Sequence, residues 1–184
     1  MRAFPGERGG HREKYRPPVR YADGPTAEVT IHIDAPPARV WSVVTDISMP
    51  ARFSDEFQGA NWLDGATGPA TGARFMGRNR HPATGEWETT SVVVACEPER
   101  VFGWAVGDAD DPTAEWRFEL EPDNGGTRLR QWARMGPAPS GLTFAIMARP
   151  DKEERIVARR LEEWQRNMTA TVEGIKAIAE GRER

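Results

Sequence analysis

The chain has 184 residues, a formal net charge of −3 and a sequence pI near 5.7. This length suits one domain with a real hydrophobic core, and the slightly acidic balance offers no electrostatic basis for binding nucleic acid or an anionic membrane surface. The single cysteine, Cys96, excludes an intramolecular disulfide framework.

Residues 1–25 differ in composition from everything that follows. They mix Gly, Pro and Arg with few aliphatic residues, so they cannot build a core. We predict a flexible tail over residues 1–25 and one ligand-binding domain over residues 26–182.

No segment of the sequence has the length of a membrane span. The N-terminus lacks the apolar run of a signal peptide, and the longest uncharged apolar stretch, residues 136–148, is far below the roughly 20 residues that cross a bilayer. We expect a cytoplasmic protein without stable membrane insertion.

The regular part of the chain opens with a strand and two short helical segments. From Thr26 to Asp34 apolar and polar residues alternate, which predicts a half-buried strand with His32 on its solvent face. Prolines 36 and 37 end this strand, and residues 37–47 then place apolar side chains at helical spacing. Residues 49–57 are predicted to form a second short helix or a turn.

Six further strands follow, joined by turns. They are predicted around Trp62, from Gly72, from Glu86, from Arg100, from Ala114 and from Thr127, and "DNGG" between the last two is a strong hairpin signal. Connections this short imply antiparallel neighbours, because parallel strands need a crossover of about a dozen residues or more.

The strand from Gly72 shows which face of the sheet is dry. Arg74, Arg78 and Arg80 share one side, which marks that side as solvated, so Asn79 points inward beside Gly77. The glycine fills no space there, which predicts room on the inner face. Thr89, Ser91 and Gln131 are also assigned to that face, where each buried amide or hydroxyl without a partner costs roughly 1–3 kcal/mol.

The C-terminal segment supplies a cover for this face. Asp151 and Glu154 have the spacing of a capping box, and apolar residues from Val157 to Ile178 form one stripe. The pattern predicts a helix of about 28 residues, some 42 Å long. Such a helix spans the whole sheet.

The order of these elements, with "APPARVWSVVTDISMPARF", "GARFMGRNR", "EPERVFGW" and the terminal helix, resembles the START-like helix-grip superfamily, also called SRPBCC. Within it the likeness is to the polyketide cyclase/dehydrase and lipid-transport branch, and it covers roughly residues 26–180. It implies an α+β helix-grip fold, in which a curved antiparallel sheet of about seven strands wraps around a long C-terminal helix, with two short helices after the first strand. It also implies an internal cavity for a hydrophobic molecule.

The residues themselves support a pocket with a mostly apolar wall and a few orienting polar groups. The competing interpretation is a filled core, in which the aromatic residues pack and the polar ones bond to one another or to buried water. The predicted ligand-binding residues are Trp62, Phe75, Asn79, Trp87, Thr89, Ser91, Trp104, Trp116, Phe118, Gln131, Trp164 and Met168.

Sequence signals for catalysis are few. His11, His32 and His81 are assigned to the tail, to a solvent face and to a loop, so no metal and no cofactor is predicted. Neither Cys96 nor Ser91 has a base that the sequence places nearby, and Cys96 is interpreted as a small apolar filler. The ionisable candidates at the cavity mouth are four carboxylates, interpreted first as helix-end or loop residues: Asp46, Asp55, Glu56 and Asp64.

Two functions therefore remain open at this stage. The first is a module that binds a lipid, quinone or polyketide-like molecule between sheet and helix. The second is a cofactor-independent polyketide cyclase, aromatase or dehydrase that uses Asn79, Gln131, Thr89 and Ser91 to hold a carbonyl or enolate. A weaker third is an interaction role through the basic tail and residues 136–149, a loop that is also a candidate lid. A homo-oligomer is compatible with the sequence but not indicated by it.

Overall fold

The structure is a computed structural model that describes residues 19–182. Its strands are β1 (Thr26–Ile33), β2 (Phe57–Trp62), β3 (Arg74–His81), β4 (Gly85–Glu97), β5 (Val101–Gly107), β6 (Pro112–Asp123) and β7 (Gly126–Met135). Its helices are α1 (Pro37–Val44), α2 (Gly141–Ala148) and α3 (Glu153–Ala179), with 3₁₀ turns at Tyr21–Asp23, Met49–Arg52 and Pro150–Lys152. The predicted α+β helix-grip class is confirmed.

The strands form one antiparallel sheet in the order β1-β7-β6-β5-β4-β3-β2. Asn124 and Gly125 both have positive φ, 48° and 84°, as a two-residue type I′ hairpin between β6 and β7 requires. The β2–β3, β4–β5 and β5–β6 pairings each contain one register shift, and such β-bulges bend the strands locally. The result is a sheet curled around α3.

Helix α3 lies along β1 and packs on α1 through its C-terminal half. The Arg39 side chain of α1 donates hydrogen bonds to the carbonyl oxygens of Ala179 at 2.6 Å and Ile178 at 3.3 Å, which satisfies the last turn of α3. Gly174 lets the Phe53 ring reach the helix, because a Cβ at residue 174 would stand 2.4 Å from that ring.

Buried apolar residues form two clusters on the concave face. The first, which we call the closed end, lies under α1 and the C-terminal half of α3. It includes Ile33, Val40, Phe102, Leu129 and Ile175, each at most 1% exposed. The second lies under the N-terminal half of α3 and comprises Tyr21, Ala27, Ala114, Ala133, Met135, Val157, Trp164 and Met168.

Three sequence expectations need correction. The capping box at the start of the terminal helix is absent: Lys152 is its N-cap residue without a side-chain hydrogen bond, and Asp151 pairs with Arg149 instead. Part of the predicted loop at 136–149 is helix α2, which Ser140 caps by accepting from the Leu142 amide. His81 ends strand β3 rather than lying in a loop.

The predicted division into a tail (residues 1–25) and a domain (residues 26–182) stays a prediction. Residues 1–18 of the predicted tail lie outside the described residues. Tyr21 is 8% exposed, its hydroxyl donates to the Ala138 carbonyl oxygen at 2.7 Å, and its amide donates to Glu153. Tyr21 therefore packs against the part of the chain that begins with β1.

Candidate functional site

Strands β3 and β4 carry a polar part of the concave face. Phe75 pairs with Ser91 and Asn79 pairs with Trp87, with Thr89 between them on β4. Directly paired residues project to the same face of a sheet, and Phe75 and Ser91 are 4% and 2% exposed. Asn79, Trp87 and Thr89, which we call the polar edge, are only partly buried.

The space that the sequence predicted beside Gly77 is occupied by a protein side chain. A Cβ at residue 77 would lie 3.1 Å from Cε2 of Phe57, so the Phe57 ring covers the glycine. Phe57 was not among the predicted site residues because residues 49–57 were assigned to a short helix or turn, whereas Phe57 begins β2 and pairs with Asn79. The expectation of empty space next to Gly77 is therefore wrong.

Aromatic rings form a continuous row across the concave face to α3. Trp104 lies 5.9 Å from Phe75 and 6.4 Å from Trp116, centroid to centroid, and its plane is within 12° of the plane of Trp116. Trp116 in turn lies 4.8 Å from Trp164 on α3. The row joins the sheet to the helix with rings that can flank a planar or chain-like ligand.

Between the two buried clusters runs a strip that we call the central strip: Val29 on β1, Gln131 on β7, Trp116 on β6 and Trp104 on β5. Val29, Trp104 and Trp116 face inward but remain partly exposed. Gln131 is 6% exposed, and its amide oxygen Oε1 has no hydrogen-bond partner among residues 19–182. Packing is thus less complete here than at the closed end.

The placement of α3 accounts for the looser packing around Trp104 and Trp116. Its backbone lies closest to β1, at one edge of the sheet. The opposite edge, at β2 and β3, meets the helix through long side chains, of which Arg160 is the clearest. The interior between β3–β6 and the N-terminal half of α3 is therefore spanned by side chains rather than by close backbone packing.

The structure places all twelve predicted site residues on the concave face or on the side of α3 that covers it. Within this set, Phe75, Ser91, Phe118, Gln131, Trp164 and Met168 are buried, and Trp62, Asn79, Trp87, Thr89, Trp104 and Trp116 are partly buried. Their role in ligand binding stays a prediction.

A cluster of charged groups closes the interior next to the polar edge. Both terminal nitrogens of Arg160 lie 2.6 Å from the Glu56 carboxylate, and one lies 3.3 Å from Glu163. His81 Nε2 stands 3.6 Å from the Glu163 carboxylate. The Arg160 guanidinium also lies over the Trp164 ring, 5.7 Å from its centroid. We call Glu56, His81, Arg160 and Glu163 the charged cluster.

Pairing keeps Arg160 and Glu163 in their ionised forms. Burial alone would lower the pKa of Arg160, but hydrogen bonds to Glu56 and Glu163 raise it above its usual range. Burial would raise the pKa of Glu163, but hydrogen bonds from Arg159 and Arg160 lower it below its usual range. A bidentate pair of this kind fixes geometry as well as charge.

Sequence reasoning found only part of the charged cluster. Glu56 was a candidate at the cavity mouth, whereas His81, Arg160 and Glu163 were missed. Arg160 lies four residues before Trp164, on the buried stripe of the helix. A charged residue on an apolar stripe is the signal that could have found it.

The other candidate groups for chemistry are less favourably placed. Asp46, Asp55 and Asp64 are exposed. Burial raises the pKa of the Cys96 thiol, which disfavours the reactive thiolate. Within residues 19–182 no group of three or more His, Cys, Asp or Glu side chains is arranged to hold a metal ion.

Two clefts open on the surface. One, of about 420 Å³, lies between the end of α1, β2 and the loop after it, and Asp46 and Trp62 are among its lining residues. The other, of about 540 Å³, lies on the solvent side of α3. In the described part of the chain, no helix is both long enough and apolar enough to span a bilayer.

Comparison with known proteins identifies the family to which the chain is similar. The family model for polyketide cyclase / dehydrase and lipid transport matches residues 25–179. A polyketide-cyclase-like protein from Corynebacterium glutamicum is 33% identical, with a TM-score of 0.61 over 90% of this chain and 94% of that one. A search of curated proteins found no match.

Two aromatase/cyclase proteins share the fold. StfQ of the steffimycin biosynthetic pathway has a TM-score of 0.65 at 14% identity, over 85% of this chain and 51% of its own. BexL of the BE-7585A pathway has a TM-score of 0.60 at 20% identity, over 86% of this chain and 50% of its own. Both are di-domain proteins, and the match spans about half of each.

Proposed function

The chain belongs to the polyketide cyclase / dehydrase and lipid transport family, and from this premise we propose that it binds a hydrophobic small molecule between the concave face of the sheet and α3. The ligand class is a lipid, a quinone or a polyketide-like compound. The central strip carries the proposal, because inward-facing aromatic rings there stay partly exposed beside an unpartnered amide oxygen. In a fully packed core, aromatic rings of this kind are buried and a buried amide oxygen has a hydrogen-bond partner.

In this proposal the twelve site residues divide into two roles. The aromatic residues and Met168 form an apolar wall, and four polar residues orient the ligand within it. The polar four are Asn79, Thr89, Ser91 and Gln131. The charged cluster holds α3 to the far edge of the sheet at the end of the wall.

The direct test is native mass spectrometry of protein purified gently from its own host, with identification of any released molecule. We expect a bound lipid, quinone or polyketide. Rebinding of the released compound to Thr89→Leu, which adds bulk at the polar edge, should weaken by roughly tenfold, about 1.4 kcal/mol. The matched control is Thr90→Leu, on the opposite face of β4, which should bind as the wild type does. Equal retention by both variants would contradict the proposed location.

A second candidate is a cofactor-independent cyclase, aromatase or dehydrase acting on a ligand in the same interior. The observation that favours it is the charged cluster, where Glu163 lies beside the His81 ring and can orient an imidazole for proton transfer. Co-expression with a minimal polyketide synthase tests it. A changed product pattern that is lost in His81→Phe supports catalysis, and unchanged products support binding alone.

A further inference from the structure

The amide oxygen of Gln131 has no polar partner in the described part of the chain. Two other buried polar atoms also lack a hydrogen bond, Arg134 Nε and Glu180 Oε2. Each of those has an ion-pair partner: Arg134 Nε lies 3.2 Å from Glu115, and Glu180 Oε2 contacts Arg182. Among the buried side-chain nitrogen and oxygen atoms of residues 19–182, Oε1 of Gln131 is thus the one with neither a hydrogen-bond partner nor an ion-pair partner.

The nearest neighbours of Gln131 within the sheet carry no side-chain donor. Across the sheet it faces Val29 on β1 and Phe118 on β6. Along β7, the next residues on the same face are Leu129 and Ala133. All four side chains are apolar, and the central position of β7 commits its backbone amides to the two flanking strands. The sheet around Gln131 therefore leaves this amide oxygen available to a donor from a bound molecule.

We propose that Gln131 is the specificity-determining residue of the binding site and selects ligands that carry a hydroxyl group. The inference rests on the proposed function and names the chemistry of its ligand. A hydroxyl fits the amide best, because it donates to Oε1 and also accepts from Nε2, whereas a carbonyl serves the nitrogen alone. A purely hydrocarbon ligand leaves the buried oxygen unpaired and binds less tightly.

The surroundings of Gln131 place the remainder of such a ligand among aromatic rings. Trp116 is diagonal to Gln131 across the β6–β7 ladder, where Trp116 pairs with Ala133 and Phe118 pairs with Gln131. Diagonal neighbours of this kind lie within reach of large side chains. The ligand hydroxyl would therefore sit at Gln131 while its apolar body lies against Trp116.

Two probes of nearly equal shape test the proposal: 2-naphthol and 2-methylnaphthalene. Their dissociation constants are measured by isothermal titration calorimetry for the wild type and for Gln131→Leu. Because the free probes differ in hydration, the informative quantity is the ratio of the two constants. We expect Gln131→Leu to shift this ratio against 2-naphthol by about tenfold relative to the wild type.

Controls separate this inference from the binding proposal. Gln58→Leu makes the same chemical change at an exposed position of β2 and should leave the ratio unchanged. Gln131→Met, which keeps an unbranched side chain, is the second variant if the leucine variant folds poorly by circular dichroism. If both probes bind and the ratio of their dissociation constants is the same in the wild type and in the Gln131 variants, the role of Gln131 is overturned. The binding proposal is unaffected by that result. If the wild type binds neither probe, the selection for a hydroxyl at Gln131 is overturned, and the native mass spectrometry described above decides the binding proposal separately.

Discussion

The closed end and the central strip belong to the same sheet and lie under the same helix, yet they are packed differently. At the closed end, residues such as Phe102 and Leu129 are at most 1% exposed. In the central strip Trp104, two residues from Phe102 on β5, stays partly exposed, and Gln131, two residues from Leu129 on β7, lacks a partner for its amide oxygen. Packing thus changes within a single two-residue step along each strand.

Under the proposed function, this difference separates the residues that stabilise the domain from those that bind the ligand. Tightly packed aliphatic and aromatic side chains contribute most to folding free energy. Incompletely packed rings and unpaired polar groups contribute less to stability and are available to a ligand. We therefore expect substitutions at the closed end to change stability, and substitutions in the central strip to change binding.

The largest expected effect is on the free energy of unfolding, and it is tested by substituting two residues of β5. Phe102→Ala should lower the free energy of unfolding by about 3–5 kcal/mol, because it leaves a sealed cavity in a dry cluster. Trp104→Ala removes a larger side chain but should cost only about 2 kcal/mol, because Trp104 is already partly exposed. Urea unfolding measures both. Equal losses, or a larger loss for Trp104→Ala, would show that the central strip is as well packed as the closed end.

The second effect concerns the contact between Gly174 of α3 and the Phe53 ring, which follows α1 in the chain. Gly174→Ala should destabilise the protein by about 2 kcal/mol, because the added Cβ would stand 2.4 Å from the Phe53 ring. Helix propensity alone predicts the opposite sign, a gain of about 1 kcal/mol. Ala158→Gly, at an exposed position of the same helix, gives the propensity effect without a packing change. A stabilised Gly174→Ala protein would show that Phe53 does not hold this position.

The smallest expected effect is the pH dependence at the charged cluster. The pKa of Glu163 is lowered in the folded protein, because Arg159, Arg160 and His81 together outweigh its burial. A carboxylate of this kind contributes stability above its unfolded pKa of about 4.3, and loses it as pH falls through the lower folded pKa.

Glu163→Gln should therefore lower the free energy of unfolding by less than about 1 kcal/mol at neutral pH. Below about pH 4 the stability of this variant should decline less steeply than that of the wild type. Thermal unfolding across pH 3–7 measures this, with Glu162→Gln, at an exposed neighbouring position, as the control. A decline as steep as that of the wild type would mean that Glu163 does not contribute to the acid sensitivity.

Much of the fold could be predicted from local sequence patterns. The alternation in β1 and the Asn124–Gly125 turn are local signals, and the structure contains both elements at those places. The inward orientation of Asn79 and Gln131 also followed from period-two spacing. By contrast, the Phe57 ring over Gly77 depends on a bulge, and a bulge reverses the alternation on which such predictions rely.

The pattern of side chains along each segment was sufficient to indicate the strands, the long helix and the dry face, because these features depend on residues a few positions apart. The charged cluster and the unpaired state of Gln131 depend on distant residues. Glu56 and Arg160 meet across the width of the sheet, and Gln131 lacks a partner because Val29 and Phe118, from two other strands, are apolar. Only the tertiary structure brings these groups together, and only there does the availability of a hydrogen-bond partner become defined.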